Sequence, residues 1–253
     1  MTDPKPIYRA ALALLAAAAL QGCALFRAPP PLTADTAYTR GMEAVQAGRW
    51  GRAAELLSQF TQAASPGDPR LRDALMALGR AHLETRDYVT AGADFLRVVT
   101  EYPTDPAAIQ GRFGICDAYH RLSPRPQLDQ EYTLTGIAYC DSYAGLYPAT
   151  PEAERARAWT VEMREKLATK ALLNGTFYMR RALYDAAVVY FNEVLEEYPQ
   201  SASVPGALLG LVQAYGRMGY REEEAAARER LLREFPQSEQ ARSLPPAADT
   251  TRA

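Results

Sequence analysis

One spacing of aromatic, small and bulky apolar residues recurs along the chain and constrains its fold more than any other feature. Within each copy the residues are three, four and three positions apart, a spacing that lines one face of a helix. A glycine precedes each aromatic residue by nine positions. The three copies are Trp50, Ala53, Leu57 and Phe60; Tyr88, Ala91, Phe95 and Val98; and Tyr184, Ala187, Phe191 and Val194, preceded by Gly41, Gly79 and Gly175. The chain is therefore predicted to consist of stacked pairs of helices.

These helix pairs resemble the tetratricopeptide repeat, a helix-turn-helix unit of about 34 residues. Two further copies are degenerate and end at Tyr147-Pro148 and Phe235-Pro236. The predicted fold class is all-α, a tetratricopeptide-like superhelical array of five helix-turn-helix repeats. The predicted helix pairs are 35–47 with 50–64, 69–85 with 88–101, 106–121 with 129–146, 151–181 with 184–198, and 203–217 with 220–235.

Two departures from a regular repeat divide the array. Residues 122–128 are predicted to form a loop inserted in the third repeat, and the helix that begins at Pro151 is about twice the usual length. We expect this helix to join N-terminal repeats, residues 35–121, to C-terminal repeats, residues 122–238. The last residues, 239–253, are predicted to be a disordered tail because they are short of apolar side chains.

The N-terminus has the pattern of a secretory signal. Lys5 and Arg9 precede an apolar run of about ten residues, which is too short to span a membrane. The run ends in Leu20-Gln21-Gly22-Cys23, which resembles the bacterial lipobox. The resemblance implies that residues 1–22 are removed, that Cys23 is acylated, and that Ala24 directs the protein to the outer membrane. Residues 23–34, which contain three consecutive prolines, are predicted to be an extended tether from the lipid anchor.

Charge and composition argue against nucleic-acid binding and catalysis. The whole chain has a net charge of −2, and without the signal's Lys5, Arg9 and Asp3 the charge is −3. A nucleic-acid partner would require a basic patch. His82 and His120 lie on different predicted helices, and neither has a second ligand at metal-binding spacing. The sequence therefore predicts a binding protein that is not an enzyme and that holds no metal or cofactor.

Two cysteines remain after Cys23. Cys116 and Cys140 fall on adjacent predicted helices, so a disulfide is possible in an oxidising compartment. The alternative is a pair of buried thiols that act as small apolar residues. The second interpretation is preferred, because the repeat register does not bring the two side chains face to face.

The first helices of the repeats are predicted to line a groove. Counted from the glycines, the groove positions are Tyr38, Met42, Val45, Met76, Arg80, Leu83, Ile115 and Tyr119. Apolar side chains at positions that face solvent favour a peptide-binding groove, in which Arg80 could meet a terminal carboxylate. An equally weighted alternative is that several of these residues pack against a neighbouring repeat or the tether.

Three motifs carry a resemblance to a known family, the BamD lipoproteins of the β-barrel assembly machine. They are Asp129-Gln130 with Thr133; Arg164-Glu165-Lys166-Leu167-Ala168; and Gly175, Phe177-Tyr178, Arg180-Arg181, Tyr184, Ala186-Ala187 and Tyr198-Pro199. The resemblance covers nearly the whole mature chain. It differs at Gly136 and Cys140, where alanine and phenylalanine are usual, and this difference predicts looser stacking of the third repeat.

The resemblance implies a lipid-anchored scaffold on the periplasmic face of the outer membrane. Its N-terminal repeats would bind unfolded outer-membrane proteins, and its C-terminal repeats would bind the periplasmic domains of the barrel insertase. Tyr178, Arg180, Arg181 and Tyr190 are the candidate partner contacts, although some members of the family have a basic residue at the position of Tyr190. The alternative functions are a repeat lipoprotein for pilus assembly or envelope division, and a cell-wall hydrolase or its accessory.

Overall fold

The computed structural model describes residues 32–244, and all regular secondary structure in this range is helical. The helices are α1 Ala34–Gln46, α2 Trp50–Ala63, α3 Leu71–Glu84, α4 Tyr88–Glu101, α5 Pro106–Leu122, α6 Glu131–Leu146, α7 Pro151–Met179, α8 Tyr184–Glu197, α9 Val204–Met218, α10 Arg221–Glu234 and α11 Glu239–Ser243. The predicted all-α repeat array is confirmed: α1 to α10 form five consecutive pairs, and every end lies within two residues of its predicted position.

The predicted signal peptide, the lipidation site Cys23 and nearly all of the predicted tether lie outside the described residues. Among the helices that residues 32–244 form, none combines the length and the apolarity needed to cross a membrane.

Capping residues and prolines explain where the helices begin and end. Asp105 precedes Pro106, and its side chain accepts a hydrogen bond of 2.8 Å from the backbone N–H of Ala107, so one free donor of α5 is satisfied. At the end of α4, Tyr102 leaves the helical conformation (φ −130°, ψ 54°). Because Pro103 follows, the helical conformation is disfavoured there. Tyr147, Tyr198 and Phe235 end α6, α8 and α10 in the same way.

Stacking of the repeats depends on glycines that leave room for a ring. Phe191 of α8 is 2 % exposed and lies between Gly175 of its own repeat and Gly210 of the next. A Cβ atom added at either glycine would come within 2.4 Å of the ring. Phe95 lies between two glycines of the second and third repeats in the same way. Each ring therefore packs against two repeats at once and fills the space between them, which gives the close packing typical of a protein interior.

The third repeat contains a disulfide, so the preference for two buried thiols was wrong. Cys116 of α5 and Cys140 of α6 are both fully buried, with Cα atoms 4.9 Å apart and sulfurs bonded. Cys140 takes the place that Phe95 and Phe191 hold in the other repeats, and a covalent bond therefore replaces the packing of a ring. At Gly136 an added Cβ would lie 2.7 Å from the sulfur of Met163, which fills the space of the missing alanine.

The motif Asp129-Gln130 with Thr133 holds the inserted loop in place. The Gln130 side chain donates hydrogen bonds to the carbonyls of Arg125 and Leu128, and it accepts one from the Thr133 hydroxyl at 2.7 Å. Gln130 and Thr133 are buried, so these bonds satisfy polar groups that would otherwise be costly. Two lysines of α7, Lys166 and Lys170, donate to Ser123 and to the Leu128 carbonyl, and they fix the loop against the long helix.

The first residues of the predicted disordered tail are helical. Residues 239–243 form the short helix α11, so the prediction was wrong for this segment. Ser238 caps α11 by accepting a hydrogen bond from the backbone N–H of Ala241, and Ala241 is buried against the fifth repeat. One buried side chain and one cap are enough to order the segment, despite its polar composition.

The carboxylate of Asp68, in the turn between α2 and α3, makes the stability of the fold depend on pH in the acid range. Arg70 lies 2.7 Å from the Asp68 carboxylate and 2.8 Å from that of Asp35. Hydrogen bonds from the Arg70 side chain and backbone lower the pKa of Asp68 to about 2. A lowered pKa stabilises the fold above the unfolded value, near 3.8, and this contribution is lost as the pH falls through about 2.

We expect Asp68→Asn to flatten the fall of the thermal midpoint between about pH 4 and pH 2, because the carboxylate that must be protonated is gone. Thermal melts across this range measure the slope. Asp185→Asn is the matched control, because Asp185 forms no hydrogen bond or ion pair with any described residue. Equal slopes for wild type and Asp68→Asn would contradict the expectation.

Candidate functional site

A cleft of about 790 Å³ runs along the side of the array on which the first helices of successive repeats contact one another. Most of its lining comes from the first helices of four repeats, α1, α3, α5 and α7, and Phe95 of α4 and Tyr143 of α6 complete it. Among the described residues the second helices do not contact each other, so the cleft follows from the way the first helices pack. Its apolar lining includes Val45, Met76, Leu83, Ile109 and Phe113.

The structure brings together half of the predicted groove residues. Val45, Met76, Arg80 and Leu83 line the cleft. Tyr38 and Met42 lie outside it and pack on the core of the first two repeats, where the Tyr38 ring is 5.0 Å from that of Phe60.

Neither of the two predicted groove residues of α5 lines the cleft. Ile115 is 2 % exposed and packs beside Phe95, and Tyr119 stacks on Tyr139 at 5.3 Å. The groove prediction was therefore wrong for Ile115 and Tyr119. The physical reason is that Ile115 packs on α4 and Tyr119 on α6, so both side chains meet second helices and not the cleft.

Two arginines in the cleft are held by aromatic rings. The guanidinium carbon of Arg80 lies 5.3 Å from the centre of the Trp50 ring, and that of Arg155 lies 5.0 Å and 5.1 Å from Phe113 and Trp159. Neither arginine forms an ion pair with any residue between 32 and 244. A cation over a ring keeps its hydrogen-bond donors available, so both side chains are positioned to meet an acceptor.

Two of the four carboxylates that line the cleft are paired with other arginines. Asp73 and Asp117 are paired with Arg72 and Arg121 at 2.8 Å and 2.6 Å. Glu84 and Glu152, which also line the cleft, have no ion pair with a described residue. The cleft therefore offers apolar walls together with free charges of both signs.

Sequence reasoning missed an aromatic stack next to the cleft. Phe113 and His120 are seven residues apart on α5, a rise of about 10.5 Å in a regular helix. The Trp159 ring stacks on both, at 5.4 Å and 4.6 Å, and so lies between them. His120 Nε2 is 3.0 Å from the Glu162 carboxylate, and this contact holds the pKa of Glu162 below its usual range. The seven-residue spacing was the only signal of this arrangement in the sequence.

A second candidate site contains the predicted partner contacts. The rings of Tyr178 and Tyr190 stack at 5.3 Å, and Phe177 meets Tyr178 edge-on. The guanidinium of Arg181 lies 3.6 Å from the centre of the Phe177 ring, and Arg180 is exposed at the end of α7. The Tyr178 hydroxyl and partial burial raise the pKa of Tyr190.

These aromatic rings border a cavity of about 340 Å³ between α7, α8 and the inserted loop. We call this surface the tyrosine patch; it is lined by Pro126, Gln127, Lys170, Leu173, Asn174, Phe177, Tyr178 and Tyr190. Its rings are partly exposed, with Phe177 at 48 %, so an apolar partner surface can reach them. The loop that the Gln130 motif holds therefore forms one wall of the site.

Between residues 32 and 244 no group of three or more histidine, cysteine, aspartate or glutamate side chains is placed to hold a metal ion. Each histidine instead contacts a single carboxylate. His82 Nδ1 lies 2.7 Å from Asp94 in a mostly buried position, and His120 contacts Glu162.

The sequence matches the model of a family described as YfiO, an outer membrane lipoprotein, over residues 30–231. It is 27 % identical over 216 residues to the outer membrane protein assembly factor BamD of Caulobacter vibrioides, covering 83 % of this chain and 70 % of that protein.

Two solved structures are similar at low identity. A tetratricopeptide repeat protein from Parabacteroides merdae is 16 % identical, with a TM-score of 0.37, 81 % of this chain covered and 68 % of that one. A tetratricopeptide repeat protein of Thermus thermophilus is 18 % identical, with a TM-score of 0.35 and coverage of 83 % and 95 %.

Proposed function

Because the chain belongs to the family of outer membrane lipoproteins described as YfiO, we propose that it is a non-catalytic scaffold for the assembly of outer-membrane proteins. The similarity to an outer membrane protein assembly factor supports this role. Family membership also supports an association with the outer membrane, and we propose acylated Cys23 as the anchor on the periplasmic face. Two acyl chains or more would hold the protein stably there.

The observation that carries the proposal is the cleft with its two available arginines. The strands of an outer-membrane barrel alternate apolar and polar residues, so an unfolded client presents both kinds of side chain along an extended segment. Val45, Met76 and Leu83 supply apolar contacts, and Arg80 and Arg155 supply donors for backbone carbonyls or carboxylates. The cleft thus suits an extended client segment better than a compact ligand.

Arg80 would bind the terminal carboxylate of such a client. We expect Arg80→Ala to weaken binding of a ten-residue peptide from the C-terminal strand of a barrel protein by roughly tenfold, the loss of one charge-assisted contact. Fluorescence anisotropy with the full chain measures the affinity. Arg40→Ala is the matched control, because Arg40 is exposed on α1 and does not line the cleft. A peptide amidated at its C-terminus should bind equally to both variants, and a tenfold loss with that peptide too would contradict the assignment of Arg80 to the carboxylate.

The tyrosine patch would contact the periplasmic domains of the barrel insertase. Aromatic rings and arginines dominate the energetics of protein interfaces, and Phe177, Tyr178, Tyr190 and Arg181 bring both to one surface. The patch lies on α7 and α8, away from the cleft residues on α1 and α3. Client and insertase could therefore occupy the scaffold at the same time.

We expect the double variant Tyr178→Ala/Tyr190→Ala to lose most of the insertase that co-purifies with the chain in mild detergent. Val189→Ala, an exposed position beside Tyr190, should retain it. Circular dichroism of both variants shows whether the fold is intact. Full recovery of the insertase with the double variant would remove the tyrosine patch from the proposal. Recovery of a pilus secretin, with no insertase from the unaltered protein, would contradict the proposed function itself.

A further inference from the structure

The length of α7 creates a groove that neither proposed site uses. The first half of α7 extends past the end of α8, and the turn from α8 to α9 lies against its middle. Between them is a cavity of about 440 Å³. We call it the acidic groove and define it by Val161 of α7, Glu196 and Glu197 of α8, and Tyr198 and Pro199 of the turn.

The floor of the acidic groove is apolar and open. Val161 is 69 % exposed, the largest exposure of a large apolar side chain among the described residues. Tyr198 and Pro199 extend this surface on the opposite wall. Contact with water does not stabilise an apolar side chain such as Val161. A partner's side chain in the groove would bury this valine, and the burial would be favourable.

The two polar residues on the α7 wall already have partners. Arg164 lies 2.9 Å from Asp141 of α6. Glu165 accepts hydrogen bonds from the backbone N–H of Ala202 at 3.0 Å and from the Ser203 hydroxyl at 3.2 Å, just before α9 begins. These contacts hold the walls in place, and they pair Arg164 with Asp141 and not with the glutamates across the groove.

The carboxylates of α8 have no such compensation. Within the described part of the chain, the side chains of Glu193, Glu196 and Glu197 form no ion pair and accept no hydrogen bond. Glu193 and Glu197 are four residues apart, a spacing at which like charges repel on a helix. Glu196 and Glu197 also lie in the last turn of α8, where the partial negative charge of the helix end disfavours an anion. Burial raises the pKa of Glu193, and the Glu197 carboxylate raises it further.

We propose that the acidic groove docks a segment of a second partner protein in which a lysine or arginine is adjacent to an apolar side chain. The apolar side chain lies on Val161, Tyr198 and Pro199, and the cation meets Glu196 and Glu197. We propose a basic occupant because its charge would complement that of the groove. A cation would reduce the repulsion among the α8 carboxylates. The site is independent of the cleft and of the tyrosine patch, and it can be tested without a client or the insertase.

Two fluorescein-labelled synthetic peptides test the proposal, one of alternating leucine and arginine and one of alternating leucine and glutamate. Anisotropy titrations use the full chain in mild detergent. We expect the arginine peptide to bind and the glutamate peptide not to bind. Glu196→Gln/Glu197→Gln should weaken binding of the arginine peptide at least fivefold, as expected for two partly exposed charge pairs. Glu222→Gln/Glu223→Gln on α10 is the control, because it removes two exposed carboxylates away from the groove and should leave binding unchanged.

A second measurement separates docking from a purely structural role. The same Glu196→Gln/Glu197→Gln variant should raise the thermal midpoint, because it relieves repulsion while removing the docking site. Val161→Ser should weaken binding without changing the charge of the groove. Equal binding of both peptides, equal losses in the α8 and α10 variants, or no loss in either would overturn the proposal. So would a concentration-dependent dimer, seen by sedimentation, that Glu196→Gln/Glu197→Gln abolishes, because the occupant would then be a second copy of the chain.

Discussion

Phe191→Ala is expected to lower the free energy of unfolding by about 3–5 kcal/mol, the usual cost of removing a buried ring. The ring lies between Gly175 and Gly210, and neither glycine has a side chain that could move into the space. The cavity would therefore persist at the junction of the fourth and fifth repeats. Urea denaturation followed by circular dichroism measures the loss.

The location of the damage is as informative as its size. In a repeat array each unit contacts only its neighbours, so we expect hydrogen exchange to accelerate in α8 to α10 and to change little in α1 to α4. Val189→Ala on the same helix, 65 % exposed, should cost less than about 1 kcal/mol. Uniform acceleration along the whole chain would show that the array unfolds as one unit and would contradict this expectation.

Loss of the disulfide is expected to cost about 3 kcal/mol, the typical cost for a loop of this size. Cys116 and Cys140 are 24 residues apart, and their bond closes a loop that contains the inserted segment 122–128. For a chain of this length the loss corresponds to a thermal midpoint lowered by roughly 10 °C. The variant is Cys116→Ala/Cys140→Ala, because alanine leaves no unpaired thiol, and differential scanning calorimetry measures the midpoint.

Reduction provides the control for this variant. Adding a thiol reductant to the wild-type protein during slow heating should lower its midpoint toward that of the double variant, and the double variant should not respond. Both sulfurs are buried, so reduction in the folded state should be slow. A reductant effect of similar size on the double variant would point to a cause other than this bond.

The sequence predicted the helices well because the packing of each repeat is encoded locally. The spacing from Gly175 to Tyr184 and Phe191 sets which residues of two consecutive helices meet, and it can be counted along the chain. The disulfide could not be predicted by counting positions along the chain. Cys116 and Cys140 lie on either side of the inserted loop, so counting positions does not show whether they face each other.

A consensus glycine was not sufficient to predict which residues line the cleft. Met76, Arg80 and Leu83, near Gly79 of α3, line it, whereas Tyr38 and Met42, near Gly41 of α1, do not. The third repeat has no glycine nine residues before an aromatic residue, so the register had no reference in α5, and Ile115 was assigned to the cleft although it is buried. Arg155 was missed because the first half of α7 packs on the third repeat and not on its own partner, α8, which spacing along the chain does not reveal.

The long helix α7 sets the distance between the cleft and the tyrosine patch. Arg155 at one end of the cleft and Tyr178 in the tyrosine patch belong to the same 29-residue helix. Their separation of 23 residues corresponds to roughly 35 Å along its axis. An extended polypeptide covers that distance in about ten residues, which is the length of one strand of an outer-membrane barrel. An uninterrupted helix has no linker to lengthen or shorten, so α7 acts as a rigid spacer that holds Arg155 and Tyr178 one strand length of the proposed client apart.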